Sequence, residues 1–390
     1  MGRYALIMAN GPDMQNSKHP ELTYRGYRPG DENQIARLMM PHWKDIKEAR
    51  DWSHEFMDSP DGPGISRICE VDGRILGHNG LILMRMTVGD KTVLGGKAEG
   101  AVVSGEYRKA VPRLAHLFPG HRPIFLDLSR QLLEEAMAQN VAIMFGFPTR
   151  MALYSQLKAG WDSWVLREQG LIRPISIVRS ARLLSRKIGG SHRSPILDSL
   201  LAVPLWLVMR SMWPLWWHRN GSVVPVDSFD DRIDHLWQSL AERHQMISIK
   251  RTFRHLNWRF AHDPYVRAIL VSNGQLRGYG IAMTRSGEEF TELQIVDLVI
   301  DDGYFDCLGQ ILRSLIEQAG SKIDLVTVQC FHGGCAYGVR LNSELKKYFL
   351  PATRVKSKTG ILKVNPPYCD DAAIRNPANW LINPVFAERF

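Results

Sequence analysis

Phe145-Gly146-Phe147-Pro148-Thr149-Arg150-Met151-Ala152-Leu153-Tyr154-Ser155-Gln156-Leu157-Lys158-Ala159-Gly160-Trp161 is the stretch on which the fold is read. From Val141 to Phe147 the chain is a continuous apolar run between Asn140 and Pro148, the pattern of a strand covered on both faces. Pro148 ends that strand, and Thr149 is placed to cap the helix that follows. In the helix Leu153 and Leu157 share a face with Ala152, and Gly160 supplies the stop before Trp161. Tyr154 then falls one turn into the helix, close to the end of the strand.

This layout resembles the end of the acyl-CoA-binding core of the GCN5-related N-acetyltransferase (GNAT) superfamily. The resemblance implies that Tyr154, in an A-L-Y helix, stands near the thiol of coenzyme A and protonates it as it leaves. Read without the family, Tyr154 is a half-buried aromatic whose hydroxyl is tied to backbone. Both readings stand at this stage.

Upstream the order of elements is also that of the family. Tyr24 to Leu38 reads as strand, turn and a helix capped by Asp31. Ser66 to Val71, an Asp72-Gly73 turn and Arg74 to Thr87 read as a hairpin. After a turn at Gly89-Asp90, Gly95 to Ser104 is the candidate fourth strand, and Leu126 to Gln139 has the spacing of an amphipathic helix. The second half repeats the theme: strand-like runs at Val266 to Ser272, Gly278 to Thr284 and Leu293 to Ile300, a helix from Phe305 to Ala319, then Ile323 to Cys330. Its Leu256-Asn257-Trp258-Arg259 resembles a segment of tandem GNAT-like and FemAB-like proteins of bacterial surface-polysaccharide clusters. Asn379 to Pro384 reads as an edge or capping segment. Only the stretches from Phe145 to Trp161 and from Leu256 to Arg259 are specific; elsewhere the resemblance is one of element order.

The fold class expected is therefore α/β, tandem GNAT-like domains with mixed, mostly antiparallel sheets flanked by helices. At 390 residues two domains are the default. The divisions expected are a lead-in at 1–22, a first domain at 23–171, a linker at 172–225 and a second domain at 226–390.

Such an enzyme needs a cradle for the donor's pyrophosphate, a route for the amine's proton and an acid for the thiolate. The family meets the first with an R/Q-x-x-G-x-G/A loop at a helix N-terminus. After Tyr107-Arg108 this chain departs from that loop, with Gly120 alone and an insertion before Pro123. Arg113, His121 and Arg122 remain as phosphate donors. The resemblance places Val102, Val103, Arg108, Arg113, Arg122 and Thr149 around coenzyme A. For the proton route, alternation puts Glu99 on one face with Ala101 and Val103, where an apolar setting disfavours its charge and suits it to accept a proton. Glu106 and His78, in Gly77-His78-Asn79-Gly80, are candidates to touch the acceptor; an exposed strand-end carboxylate and a structural histidine are the alternatives.

Composition agrees with a soluble globular chain, 45% hydrophobic and 23% charged. Five scattered cysteines, Cys69, Cys307, Cys330, Cys335 and Cys369, form no C-x-x-C pair, which points to a reducing cytoplasm without a disulfide frame or a zinc site. No secretion signal is read in the lead-in. No G-x-S-x-G, H-E-x-x-H or P-loop motif is present, and no metal is expected. Of the net charge of +9, seven charges fall between Ile172 and Gly221, so no DNA partner is inferred from the total. That segment contains the apolar, tryptophan-rich run from Leu200 to Trp217, broken by Pro204 and Pro214 with Arg210 inside, unsuited to spanning a bilayer. It reads either as a helix at an anionic membrane surface, on the inner face, or as an inter-domain helix.

The function expected is transfer of an acyl group, acetyl above others, from coenzyme A to an amine, with an amino sugar of surface-polysaccharide assembly as the acceptor that the second half suggests. The alternatives are a FemAB-like transferase drawing on aminoacyl-tRNA and a non-catalytic scaffold of the same fold.

Overall fold

The computed structural model describes residues 22–42, 46, 48–105, 123–176, 181, 202–203, 207, 221–260, 264–287 and 290–382. The first half runs β1 (Thr23–Gly26), α1 (Glu32–Met39), α2 (Ala49–Phe56), β2 (Ile65–Val71), β3 (Arg74–Val88), β4 (Lys91–Val103), α3 (Ile124–Ala138), β5 (Ile143–Gly146), α4 (Arg150–Lys158) and β6 (Asp162–Pro174). The β2–β3 hairpin turns through Asp72 and Gly73, both at positive φ (48° and 74°), the two-residue geometry that Asp-Gly favours. Asp31 does not cap α1 with its side chain. Its carboxylate instead accepts from Arg25, at 2.7 and 2.9 Å, and from the backbone N–H of Arg28, holding the start of α1 against β1. Thr149 does cap α4, accepting from the N–H of Ala152, and Gly160 at φ 106° ends that helix region.

The second half runs β7 (Ser222–Pro225), α5 (Arg232–His244), β8 (Ile247–Ile249), α6 (Phe253–Arg259), β9 (Tyr265–Ser272), β10 (Gln275–Ser286), β11 (Thr291–Ile300), α7 (Leu308–Ala319), β12 (Leu325–His332), α8 (Ala336–Leu345), β13 (Leu350–Pro351), β14 (Lys356–Val364) and α9 (Asp371–Arg375). The strands expected from the sequence are present, and α2, β6, β7, α5, β8, α6, α8, β13, β14 and α9 join them. The segment set apart as a linker, 172–225, gives its ends to the sheet, since β6 reaches Pro174 and β7 occupies 222–225. Arg173, counted among its basic residues, is buried in β6 and donates to the carbonyl of Tyr348 at 2.9 Å.

All fourteen strands form one sheet, with the path β1-β2-β3-β4-β5-β14-β6-β12-β11-β10-β9-β7. Among the described strands, β4–β5 and β11–β12 pair in parallel and the other ladders are antiparallel. At the centre the halves exchange their last strands. β14, from the second half, lies beside β5, while β6, from the first half, lies beside β12. The halves are thus joined through backbone ladders, and β8 adds another by pairing with Met86 to Val88 of β3.

Helices cover both faces. Leu81, Leu132 and Met144 share one cluster and Cys69 and Leu128 another, placing α3 on the face to which those residues point. Ile68, Ile75 and Ile82, the neighbours that alternation sends to the opposite face, pack with Ile35 of α1 and Trp52 and Phe56 of α2. This two-sided burial is why β3 reads as a near-continuous apolar run.

Candidate active site between the diverging strands

β4 and β5 stay in register for three pairs only, Gly95 with Ile143, Gly96 with Met144 and Lys97 with Phe145. β4 then continues to Val103 while β5 ends at Gly146, so the strands part, and among the described residues no strand borders that edge of β4 beyond Lys97. A cavity of about 290 Å³ occupies the gap, walled by residues 97–103, residues 146–149 and Met151, Ala152 and Gln156 of α4. Two glycines shape it. A Cβ on Gly146 would stand 3.1 Å from that of Ala98, so this glycine lets the strands meet where they begin to part. Gly100 sits at φ 68°, where the β3–β4 register slips between His78 and Gly80, and the resulting bulge turns the backbone of 99–101.

Of the residues singled out in the sequence, Glu99, Val102, Val103 and Thr149 lie together on the wall of this cavity. Tyr154 does not: its ring is 64% exposed, with the Lys158 ammonium 4.5 Å from its centre, and the cavity is walled instead by Ala152 and Gln156 of the same helix. His78 is fully buried, Nδ1 at 2.8 Å from the carbonyl of Gly100 and Nε2 at 3.2 Å from the hydroxyl of Ser66. Trp52 and Phe56 meet its ring edge-on at 5.8 and 5.4 Å, and it is not among the residues of the wall. It supports the bulge at Gly100 from behind. Arg108, Arg113, Arg122 and Glu106 lie outside the described residues, as does most of 200–217.

Burial pushes His78 down to about 4. Between about pH 6.5 and 4 the unfolded chain binds a proton at this residue that the folded chain does not, so stability falls as the pH falls through that window. The expected loss is about 1.4 kcal/mol per pH unit, roughly 3 kcal/mol in all from His78, with His255, pushed down to about 3 by burial, acting in the same direction. Chemical denaturation across this range measures it, and a flat profile would show that the two rings titrate alike in the folded and unfolded chains.

Among the wall residues that were not picked out as site residues in the sequence, Lys97 and Gln156 are polar and buried. Nζ of Lys97 lies 3.2 Å from the carboxylate of Glu99, and its side chain is 2% exposed. The signal was present, since Lys97 shares the face of Glu99 by alternation. Gln156 is 3% exposed and its Oε1 is buried with no hydrogen-bond partner. An orphaned buried carbonyl costs about 1–3 kcal/mol until a ligand donates to it. Gln156→Leu is therefore expected to stabilise the empty protein by about 1 kcal/mol while weakening whatever binds in the cavity. Thermal unfolding with and without ligand reads both effects.

The second half has the same divergence in a different state. β11 and β12 register over Glu292–Ile295 with Leu325–Val328, and β11 then runs on to Ile300. Here Tyr337 of α8 closes the gap: it is 1% exposed, and its hydroxyl donates to the carbonyl of Ile300 at 2.8 Å and accepts from the N–H of the same residue at 2.9 Å. The backbone edge that is open in the first half is occupied in the second by a side chain of the protein itself.

No protein-family model matches the sequence, and no curated protein matches it. Solved structures do. A GCN5-related N-acetyltransferase from Anabaena variabilis is similar over 89% of this chain and 74% of its own, with a TM-score of 0.58 and 12% identity. The fold is the GNAT fold. A GCN5-related N-acetyltransferase from Kribbella flavida is similar over 91% of this chain and 73% of its own, at 13% identity and a TM-score of 0.56. The N-myristoyltransferase of Saccharomyces cerevisiae, solved with bound myristoyl-CoA, covers 95% of this chain and 87% of its own, at 10% identity and a TM-score of 0.52. These likenesses span both halves, in keeping with a tandem of GNAT-like units. Among the described residues no group of three or more His, Cys, Asp or Glu is placed to hold a metal ion. Nor is any helix among them long and apolar enough to cross a membrane.

Proposed function

We propose that this chain is an acyl-CoA-dependent N-acyltransferase whose donor lies in the first-half cleft. The observation that carries the reading is the edge of β4 beyond Lys97, bordered by no strand among the described residues and lying beside a cavity of about 290 Å³. The pantetheine arm of coenzyme A is extended and contains two amides, so it can pair with that edge as an added strand would. Val103, on the cavity wall, packs against the cluster that holds Ile124 at the start of α3, so the N-terminus of a fifteen-residue helix lies where phosphates would be favoured. With phosphates at that end, the acyl thioester reaches toward Glu99 and Lys97. Glu99 is the carboxylate available to the incoming amine.

Acetyl is the acyl group and an amine the acceptor in this reading, with an amino sugar favoured by the likeness of Leu256 to Arg259 to tandem proteins of polysaccharide clusters. A cavity at the low end of the range for small-molecule sites suits a pantetheine arm with a short acyl group. Because Tyr337 holds the second edge, titration calorimetry is expected to give one coenzyme A per chain. Two per chain would mean that Tyr337 swings out, and none would leave a scaffold of the fold as the better account.

A further inference from the structure

Lys97 is the last residue of β4 in register with β5, at the closed end of the cleft. Lysines are almost never fully buried unless paired, and this one is paired with Glu99 at 3.2 Å while forming part of the cavity wall. The charged groups facing it come from three elements: Glu99 on β4, Glu55 on α2 and, from the second half, Arg259 on α6. Loss of water is the largest influence and disfavours charge on Lys97; Arg259 acts in the same direction, while the two glutamates oppose it. The balance leaves Lys97 below the ordinary lysine value. Lys97 and Glu99, side by side in the wall with charge on the lysine disfavoured by burial, place proton-accepting groups at the closed end of the cleft.

We propose that Lys97, with Glu99, is the proton carrier of the site: its amine takes a proton from the acceptor's ammonium and returns it to the departing thiolate of coenzyme A. The proposal rests on the N-acyltransferase reading above. In the forward step the ammonium gives one proton to Nζ of Lys97, and the freed amine nitrogen attacks the thioester carbonyl carbon. As the tetrahedral adduct collapses the carbon–sulfur bond breaks and the sulfur takes the proton from Lys97. The proton still on the nitrogen passes to Glu99 and on to water, leaving amide, free thiol and one released proton. Arg259 does not touch the reacting atoms; it is a positioning residue through which the second half disfavours charge on Lys97, and this accounts for a role of the L-N-W-R segment in the first-half site. Tyr154, outside the wall, is not needed for the thiolate.

Competitive labelling with acetic anhydride over a pH series, read at each lysine by peptide mass spectrometry, tests this without knowledge of the acceptor. Lys97 is expected to label with a midpoint below that of the exposed lysines. Coenzyme A at about ten times its Kd should slow labelling of Lys97 about tenfold and leave exposed lysines unchanged. Arg259→Gln should move the midpoint up and Glu55→Gln should move it down. A midpoint at or above that of the exposed lysines, labelling indifferent to coenzyme A, or no response to either variant overturns the proposal. Calorimetry separates the two failures: coenzyme A that binds beside an ordinary Lys97 sinks the proton carrier alone, and coenzyme A that does not bind sinks the acyltransferase reading with it.

Discussion

Ala152→Trp is expected to weaken coenzyme A binding by about a hundredfold or more, equivalent to nearly 3 kcal/mol, while leaving the folded protein intact. Ala152 stands on the cavity wall in the first turns of α4, where the N–H of Ala152 itself meets the capping Thr149. An indole projecting from there enters the space that the donor's arm would occupy, and it does so without displacing packed atoms, so overpacking strain is small. Calorimetry with coenzyme A, beside a thermal unfolding curve within a few degrees of the parent, is the measurement. Unchanged affinity in a folded variant would place the donor elsewhere.

Asp297→Ala should remove about 3–5 kcal/mol of stability, the largest effect expected of a single substitution away from the cleft. Asp297 in β11 is fully buried, accepts from the Tyr279 hydroxyl at 2.7 Å and pairs with Arg251 at 3.4 Å. Arg251 is 1% exposed and also donates to the carbonyl of Ile249 at 2.6 Å, so the pair ties β8, which itself pairs with β3, to the strands of the second half. Removing the carboxylate leaves a guanidinium and a hydroxyl buried without their acceptor. Tyr279→Phe, which removes one neutral donor and leaves the ion pair, should cost only about 1 kcal/mol. A guanidinium chloride series on the two variants ranks them, and equal losses would mean that Arg251 finds another partner.

Asp297 also illustrates where reading the chain in one dimension stops. Nothing in the spacing of Asp297, Asp301 and Asp302 announces that Arg251, 46 residues before Asp297, lies opposite it. Asp301 and Asp302 do face outward partners, Arg243 and Arg277 for the first and Arg243 and His244 for the second. The same limit applies to His78. The sequence left it open between a contact to the acceptor and a structural histidine, and the choice is made by Trp52 and Phe56 of α2, which pack on the buried ring. That short helix follows a stretch with little apolar periodicity, so its place could be found only through its packing.

What the sequence determined by itself is what short-range physics controls. The Asp72-Gly73 hairpin, the apolar strand before Pro148, the Thr149 cap and the Gly160 stop each depend on residues a few positions apart, and each is present. The order of strands and helices followed from them, and with it the fold class. Tertiary structure alone decided which strands lie side by side, because β14 pairs with β5 and β6 across more than two hundred residues of chain in one case. It also decided the fates of two tyrosines in similar places after parallel strands: Tyr337 is drawn inward to satisfy both backbone groups of Ile300, and Tyr154 stays at the surface beside an open cleft. The burial of Lys97 belongs with these. A lysine on a strand reads as solvated until helices from both halves of the chain close over it, and the chemistry assigned to it here is a consequence of that enclosure.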